Sequence, residues 1–332
     1  MSVLSDLHFH NEEAAYAWVE AHVWPNGPVC PHCGDSKRIS KMQGKSTRIG
    51  LHKCYACRKP FTVKVGTIFE SSHVPMRIWL QAFHLLASSK KGISANQLHR
   101  TLKLSLKSAW FVGHRIREAM RSGSLEPPMG GNGGVVEVDE TIYGRAATHP
   151  KGRKRKAPSR DKIVISNAVH RNVVLSLVER GGQVRSFHVE ASSVSEVIPI
   201  VEENVAKEAA IMTDSANIYR NRLDDFASHD RIDHSRDEYV RSEEGRPLIH
   251  TNTVEGYFSV FKRGMRGTYQ HCKEKHLHRY LAEFDFRYNA RVALGVDDEQ
   301  RAAKMVKGVS GKRLTYRAAG KKVRRDAQTE GA

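Results

Sequence analysis

A chain of 332 residues that is 39% hydrophobic can bury a sizeable core and has room for about two domains. Its 54 Lys and Arg against 36 Asp and Glu leave a net charge of +18, more than solubility requires, which favours a polyanionic partner: nucleic acid ahead of an acidic membrane surface. No apolar run approaches the ~18 residues of a membrane span, the first residues lack signal-peptide features, and the odd cysteine count argues against a disulfide framework, so a cytoplasmic protein without a membrane partner is expected.

Residues 12–22 (EEAAYAWVEAH) predict a short amphipathic helix. After the turn-rich Trp24-Pro25-Asn26-Gly27-Pro28 come CPHC, a twenty-residue excursion and CYAC. Tetrahedral zinc needs soft ligands converging on one point. Each Cys-x-x-Cys supplies a pair from one tight turn, and the spacer is long enough for a hairpin to bring the second pair back. Cys30, Cys33, Cys54 and Cys57 are therefore the zinc candidates, against a redox dithiol that would call for a flanking βαβ pattern. His32 and His52 are spare neighbours, and 61–69 (FTVKVGTIF) reads as the last strand of the ribbon.

Residues 75–120 predict three helices. Ile78, Trp79, Ala82, Phe83 and Leu86 repeat at helical spacing, Ser94 and Gln97 have capping-box spacing, and Ser105 is placed to cap the last helix. That helix turns Ala109, Trp110, Gly113, Ile116 and Met120 inward and carries Lys107, His114, Arg115 and Arg117 outside. This is the pattern of a helix-turn-helix with a basic recognition helix, although any small helical bundle has the same periodicity. The Pro- and Gly-rich stretch 122–134 marks a linker.

Beyond it, 135–143, 163–170, 173–180 and 184–190 alternate as strands, with Gly181-Gly182 as a hairpin turn. A helix over 195–207 and a buried strand over 209–213 follow, giving an α/β domain with a mixed sheet. Between the first two strands, 145–162 holds a dense basic run, Lys151, Arg153, Lys154, Arg155 and Lys156, expected as a loop that holds a DNA backbone or is merely solvated. Helices are predicted over 252–266, with Val254, Tyr257, Phe258, Phe261 and Met265 as one stripe and Glu255, Ser259, Lys262 and Arg266 opposite, and over 275–291. From 296 onwards the chain reads as a basic, poorly ordered tail.

Phosphodiester cleavage needs an activated water and a stabilised leaving oxygen, which two divalent ions roughly 3.5–4 Å apart can supply if oxygen ligands from several elements meet at one point. Asp139 and Asp214 fall at strand ends, and Glu255 near a helix start with Lys262 two turns later on the same face. Each has a duller reading. Glu137 and Glu140 flank Asp139, so the strand edge could simply be acidic; Asp214 could cap a helix; Asn252 and Glu255 have capping-box spacing. Composition alone does not select these three among 36 acidic residues.

The strings CPHC…CYAC, VEVDETIYGR, IMTDSANIY, HTNTVEGYFSVFKRG and HLHRYLAEFDFRYNAR, in this order, closely resemble the ISXO-like insertion-sequence transposases. The resemblance spans about Asn11 to Arg291. It implies an N-terminal zinc ribbon and a DDE-type catalytic domain of RNase H-like fold, whose acidic triad binds two Mg²⁺ (or Mn²⁺). It further implies recognition of terminal inverted repeats, joining to target DNA, and a homo-oligomer that pairs the two ends. By motif position the triad falls on Asp139, Asp214 and Glu255, with Lys262 in support and Asn252 as a further ligand or orienting residue, since some relatives place Asn in the third metal position. The expected DNA contacts are Lys107, Arg115, Arg117, the 151–156 run and Arg263. The expected division is helix and ribbon (1–70), helix-turn-helix-like helices (71–121), linker (122–134), catalytic domain (135–295) and tail (296–332). The rivals are a non-catalytic DNA-binding regulator and an RNase H-like nuclease without joining activity. A DNA-acting chain of this kind is expected in the cytoplasm, on the nucleoid when bound.

Overall fold

The structure is a computed structural model, which describes residues 2–121, 126–144 and 172–315. The cysteines sit on a small antiparallel sheet of β1 (Ile39–Lys41), β2 (His52–Cys54) and β3 (Pro60–Phe61), and the β1–β2 hairpin returns CYAC to CPHC. The strand expected over 61–69 is corrected here. Only Pro60 and Phe61 pair with β2; the chain then turns through Gly66, at φ +72°, and buries Val63, Ile68 and Phe69 in the helical core next door.

That core is built by α1 (Glu12–Val23), α2 (Met76–Ala87), α3 (Ala95–Leu102) and α4 (Leu106–Met120) around Trp79, Phe83, Leu86 and Ile116. Ser94 and Ser105 cap their helices, although Gln97 does not return the bond that would complete a capping box. Ser94 accepts the N–H of Gln97 and Ser105 that of Ser108, both at 3.1 Å. Helix α2 begins after Pro75, and its first N–H groups go instead to Glu12 of α1, at 2.6 Å from Met76 and 3.2 Å from Arg77. A further helix, α8 (Asp298–Lys307), starts in a capping box of Asp297 and Gln300 and buries Met305 and Val306 in the same core. The poorly ordered tail expected from 296 is thus corrected up to that point: the apolar stripe of α8 was masked by the charge around it.

The second layer is a mixed sheet of β4 (Val135–Tyr143), β5 (Asn172–Glu179), β6 (Val184–Val189), β7 (Ala210–Asp214) and β8 (Ser228–Ile232), in the order β6-β5-β4-β7-β8. The first three strands are antiparallel neighbours, while β7 and β8 run parallel to β4. This is an RNase H-like sheet. Val136, Val138, Leu175 and Leu177 face α5 (Val194–Asn204). Tyr143, Val174 and Val178 face α6 (Asn252–Gly264) and α7 (Glu274–Asn289). Strand β8, Ser-His-Asp-Arg-Ile, was not foreseen; a polar edge strand carries no apolar alternation to read. The strand expected over 163–170 lies outside the described residues.

The two layers meet through α4 and α7. Arg117 Nε donates to buried Glu283 at 2.5 Å, and Arg279 pairs with Glu118. Among the described residues no helix is long and apolar enough to cross a membrane.

Candidate active site

Parallel pairing of β4 with β7 in the register Val138 to Thr213 brings Asp139 and Asp214 side by side, one step beyond the last pair, on strands ~4.8 Å apart. Alternation puts both on the face that α6 covers. The Asp139 carboxyl is pushed up to about 8, first by burial and then by the negative charges of Asp214, Glu140 and Glu255. Asp139, Asp214 and Glu255 come from three separate elements, and the charges of the other two act on Asp139. Glu140 points to the opposite face, accepts the Tyr219 hydroxyl at 2.6 Å and is pushed up to about 7, mainly by burial. Asp214 caps no helix; its Oδ1 accepts the N–H of Ala216 at 3.0 Å in a turn.

Glu255 lies one turn into α6 with its side chain exposed. The capping box of Asn252 and Glu255 does not form: Thr251 occupies the N-cap without a side-chain bond, and Asn252 is the exposed first residue of the helix. Glu255 Oε1 instead accepts from Thr251 Oγ1 at 3.3 Å and lies 3.2 Å from Nε2 of His234, a site neighbour that no motif had singled out. Lys262 stays on α6, its Nζ 6.0 Å from the centre of the Phe258 ring.

The helix start is capped from the sheet. Glu137, fully buried on β4, accepts the N–H groups of Thr253 at 2.8 Å and Val254 at 2.9 Å, while its other oxygen takes the Thr253 hydroxyl at 2.7 Å and Arg180 Nε at 2.6 Å. A carboxylate at a helix N-terminus satisfies open N–H groups and matches the helix dipole. Read from the sequence as part of an acidic edge, Glu137 is instead the clamp that locks α6 onto the strand of Asp139.

At the ribbon, the sulfurs of Cys30, Cys33, Cys54 and Cys57 all lie within 4.8 Å of one another, with Cys30–Cys57 and Cys33–Cys54 at 3.6 Å. Tetrahedral thiolates at ~2.3 Å from zinc stand roughly 3.8 Å apart, so the set fits a structural zinc ion. Among the described residues this is the group whose ligand atoms are already gathered; the carboxylates are not drawn together to that degree.

The expected DNA-facing residues divide. Lys107 is exposed on the first turn of α4, and Arg263 is exposed on α6, its Nε donating to Ser259 O at 3.1 Å. Arg115 and Arg117 are corrected: both are buried and cannot face DNA in this fold. Arg115 donates to the carbonyls of Ile68 at 2.7 Å, Glu70 at 2.8 Å and Leu314 at 3.1 Å, and Arg117 stacks on Tyr269 and Tyr280 while pairing with Glu283. The face of α4 read as outer is covered by α7 and by the chain beyond α8. Lys151, Arg153, Lys154, Arg155 and Lys156 lie outside the described residues.

Set against known families, residues 132–289 match the ISXO2-like transposase domain and residues 10–60 the transposase zinc-ribbon domain. The chain is also similar to a protein described as uncharacterized, in transposable element ISH50 of Halobacterium salinarum. The two are 26% identical over 271 residues, which cover 80% of this chain and 86% of the other.

Proposed function

We propose that this chain, a member of the ISXO2-like transposase family with its own zinc ribbon, cuts DNA at the ends of an insertion sequence and joins the freed 3′-hydroxyls to target DNA. The observation that carries the reading is the meeting of Asp139 and Asp214 at adjacent strand ends of an RNase H-like sheet, on the face covered by α6, the helix of Glu255. Carboxylates that repel one another without a cation are suited to hold Mg²⁺ or Mn²⁺. Two such ions, when bound, acidify the attacking hydroxyl and stabilise the leaving oxygen.

The chain's own residues then have distinct parts. Asp139 and, on the next strand, Asp214 would hold the ions from adjacent strand ends. Glu255, exposed and held by two weak contacts of 3.2–3.3 Å, is free to turn toward them. Asn252 beside it is a further candidate ligand. Lys262 and Arg263 face the DNA backbone from the same helix. The ribbon, together with the exposed first turn of α4 around Lys107, reads the terminal repeats, and a homo-oligomer pairs the two ends. Phosphate contacts by such a basic chain make binding strongly salt-dependent.

A strand-transfer assay with end-sequence oligonucleotides and Mg²⁺ tests the reading. Joined product is expected; nicking alone indicates a nuclease, and binding without cleavage a regulator. Asp139→Asn should abolish cutting and joining while leaving DNA binding intact, and an Asp139→Asn protein that cuts normally overturns the site.

A further inference from the structure

Past Asp214 the chain turns through 215–220, returns as edge strand β8 and continues into 233–241. These segments enclose a polar cleft of ≈ 540 Å³ that begins at Ser215, the residue after Asp214. Its charges pair off unevenly. Asp233 holds Arg236 at 3.3 Å, Glu238 holds Arg241 at 2.8 Å, and Asp230 holds Arg246, from outside the cleft lining, at 3.0 Å. Every acid of the cleft is thereby engaged. Arg220 and Arg231, both exposed, keep guanidinium groups that meet no acceptor among the described residues. Free guanidinium forks in a polar cleft suit phosphate oxygens, which they can grip bidentately.

Position narrows the ligand. The helical layer grips α7 through α4, and α7 covers β6, so α4 stands toward that edge of the sheet. The arginine cleft stands at β8, the opposite edge, four strand spacings or roughly 19 Å away. The acids of β4 and β7 lie between. With the end-DNA contact assigned above to Lys107 of α4, on the β6 side, the β8 side is left for a second duplex.

We infer that the Arg220–Arg231 cleft holds the phosphate backbone of the DNA into which the freed end is joined. The identity of that duplex rests on the transposase reading above; the affinity of the cleft for a duplex does not.

The test uses the full chain with Arg220→Ala and Arg231→Ala combined, exposed changes that leave the fold alone, and the double Lys variant as control. The first probe is a short random-sequence duplex titrated over salt. Each phosphate left without its arginine should flatten the slope of log K against log salt by about 0.9. The Ala pair should therefore lower it by about 2 and the Lys pair hardly at all. An unchanged slope overturns the site. The second probe is a pre-cut end oligonucleotide joined to a plasmid. The Ala pair should leave end binding unchanged while the plasmid concentration for half-maximal joining rises at least about tenfold. An equal drop in end binding would assign the cleft to the element's own end and overturn the inference. A wild-type chain that joins nothing defeats the transposase reading, and the salt slope still decides the cleft.

Discussion

Glu137 Oε2 accepts the backbone N–H of Val254 at 2.9 Å, and through that bond the strand of Asp139 fixes the first turn of the helix of Glu255. Two acids 116 positions apart in the chain are thereby held in one frame by a third that touches neither.

Replacing that clamp should separate positioning from chemistry. Glu137→Gln keeps the shape but turns one acceptor into a donor, leaving buried donors of α6 or Arg180 unmet. A loss of about 2–4 kcal/mol in denaturant unfolding is expected. The folded fraction should also need more Mg²⁺ for half-maximal cleavage, because Glu255 no longer faces Asp139 squarely. A variant with unchanged Mg²⁺ demand would make Glu137 purely structural.

The raised carboxyl of Asp139 links stability to pH. Its value of about 8 in the folded chain, against an ordinary 3.8, means the unfolded chain releases the proton first. The contribution is therefore full below about pH 4 and lost as pH climbs through about 8. Glu140, at about 7, acts in the same direction. Melting of the Mg²⁺-free protein should drop between pH 5 and pH 8.5 through these two groups, and Mg²⁺ should restore more at the higher pH. Asp139→Asn should flatten both trends in a thermal-shift series.

Zinc removal should act locally at first. A strong chelator, or Cys54→Ser, takes away the bond set that closes the β1–β2 hairpin, since so small a sheet has little core beyond Phe61 and the cysteines. We expect one equivalent of zinc released, end-DNA affinity abolished and the mixed sheet still melting cooperatively by circular dichroism.

Arg117 should behave as a buried pair rather than a DNA contact. Arg117→Ala leaves Glu283 charged, fully buried and bonded, among the described residues, only to Tyr269 and Arg287, at a cost of about 3–5 kcal/mol. A double-mutant cycle with Glu283→Ala should recover much of it. Lys107→Ala should do the reverse, weakening DNA binding with stability unchanged within ~0.5 kcal/mol.

These contrasts show what a one-dimensional reading can reach. Cysteine spacing, the alternation of β4 and the apolar stripe of α6 are local, and each predicted its element. The fate of Arg115, Arg117 and Glu137 is decided by segments far along the chain that happen to pack on them. A guanidinium on the face opposite an apolar stripe looks solvent-facing until α7 and the chain beyond α8 are in place. Strand β8 failed for the opposite reason: it is held by pairing with β7, and its side chains advertise nothing.

The seat of α8 bears on how the gene decays. Ile68 N–H reaches Val309 O at 3.2 Å, Thr67 bridges to Ser310, and Met305, Val306 and Val309 finish a core begun at Phe9. A ribosome must deliver the chain through Val309 before the amino-terminal module can shut. A frameshift anywhere upstream of 298 leaves a gaping apolar face, a substrate for proteolysis.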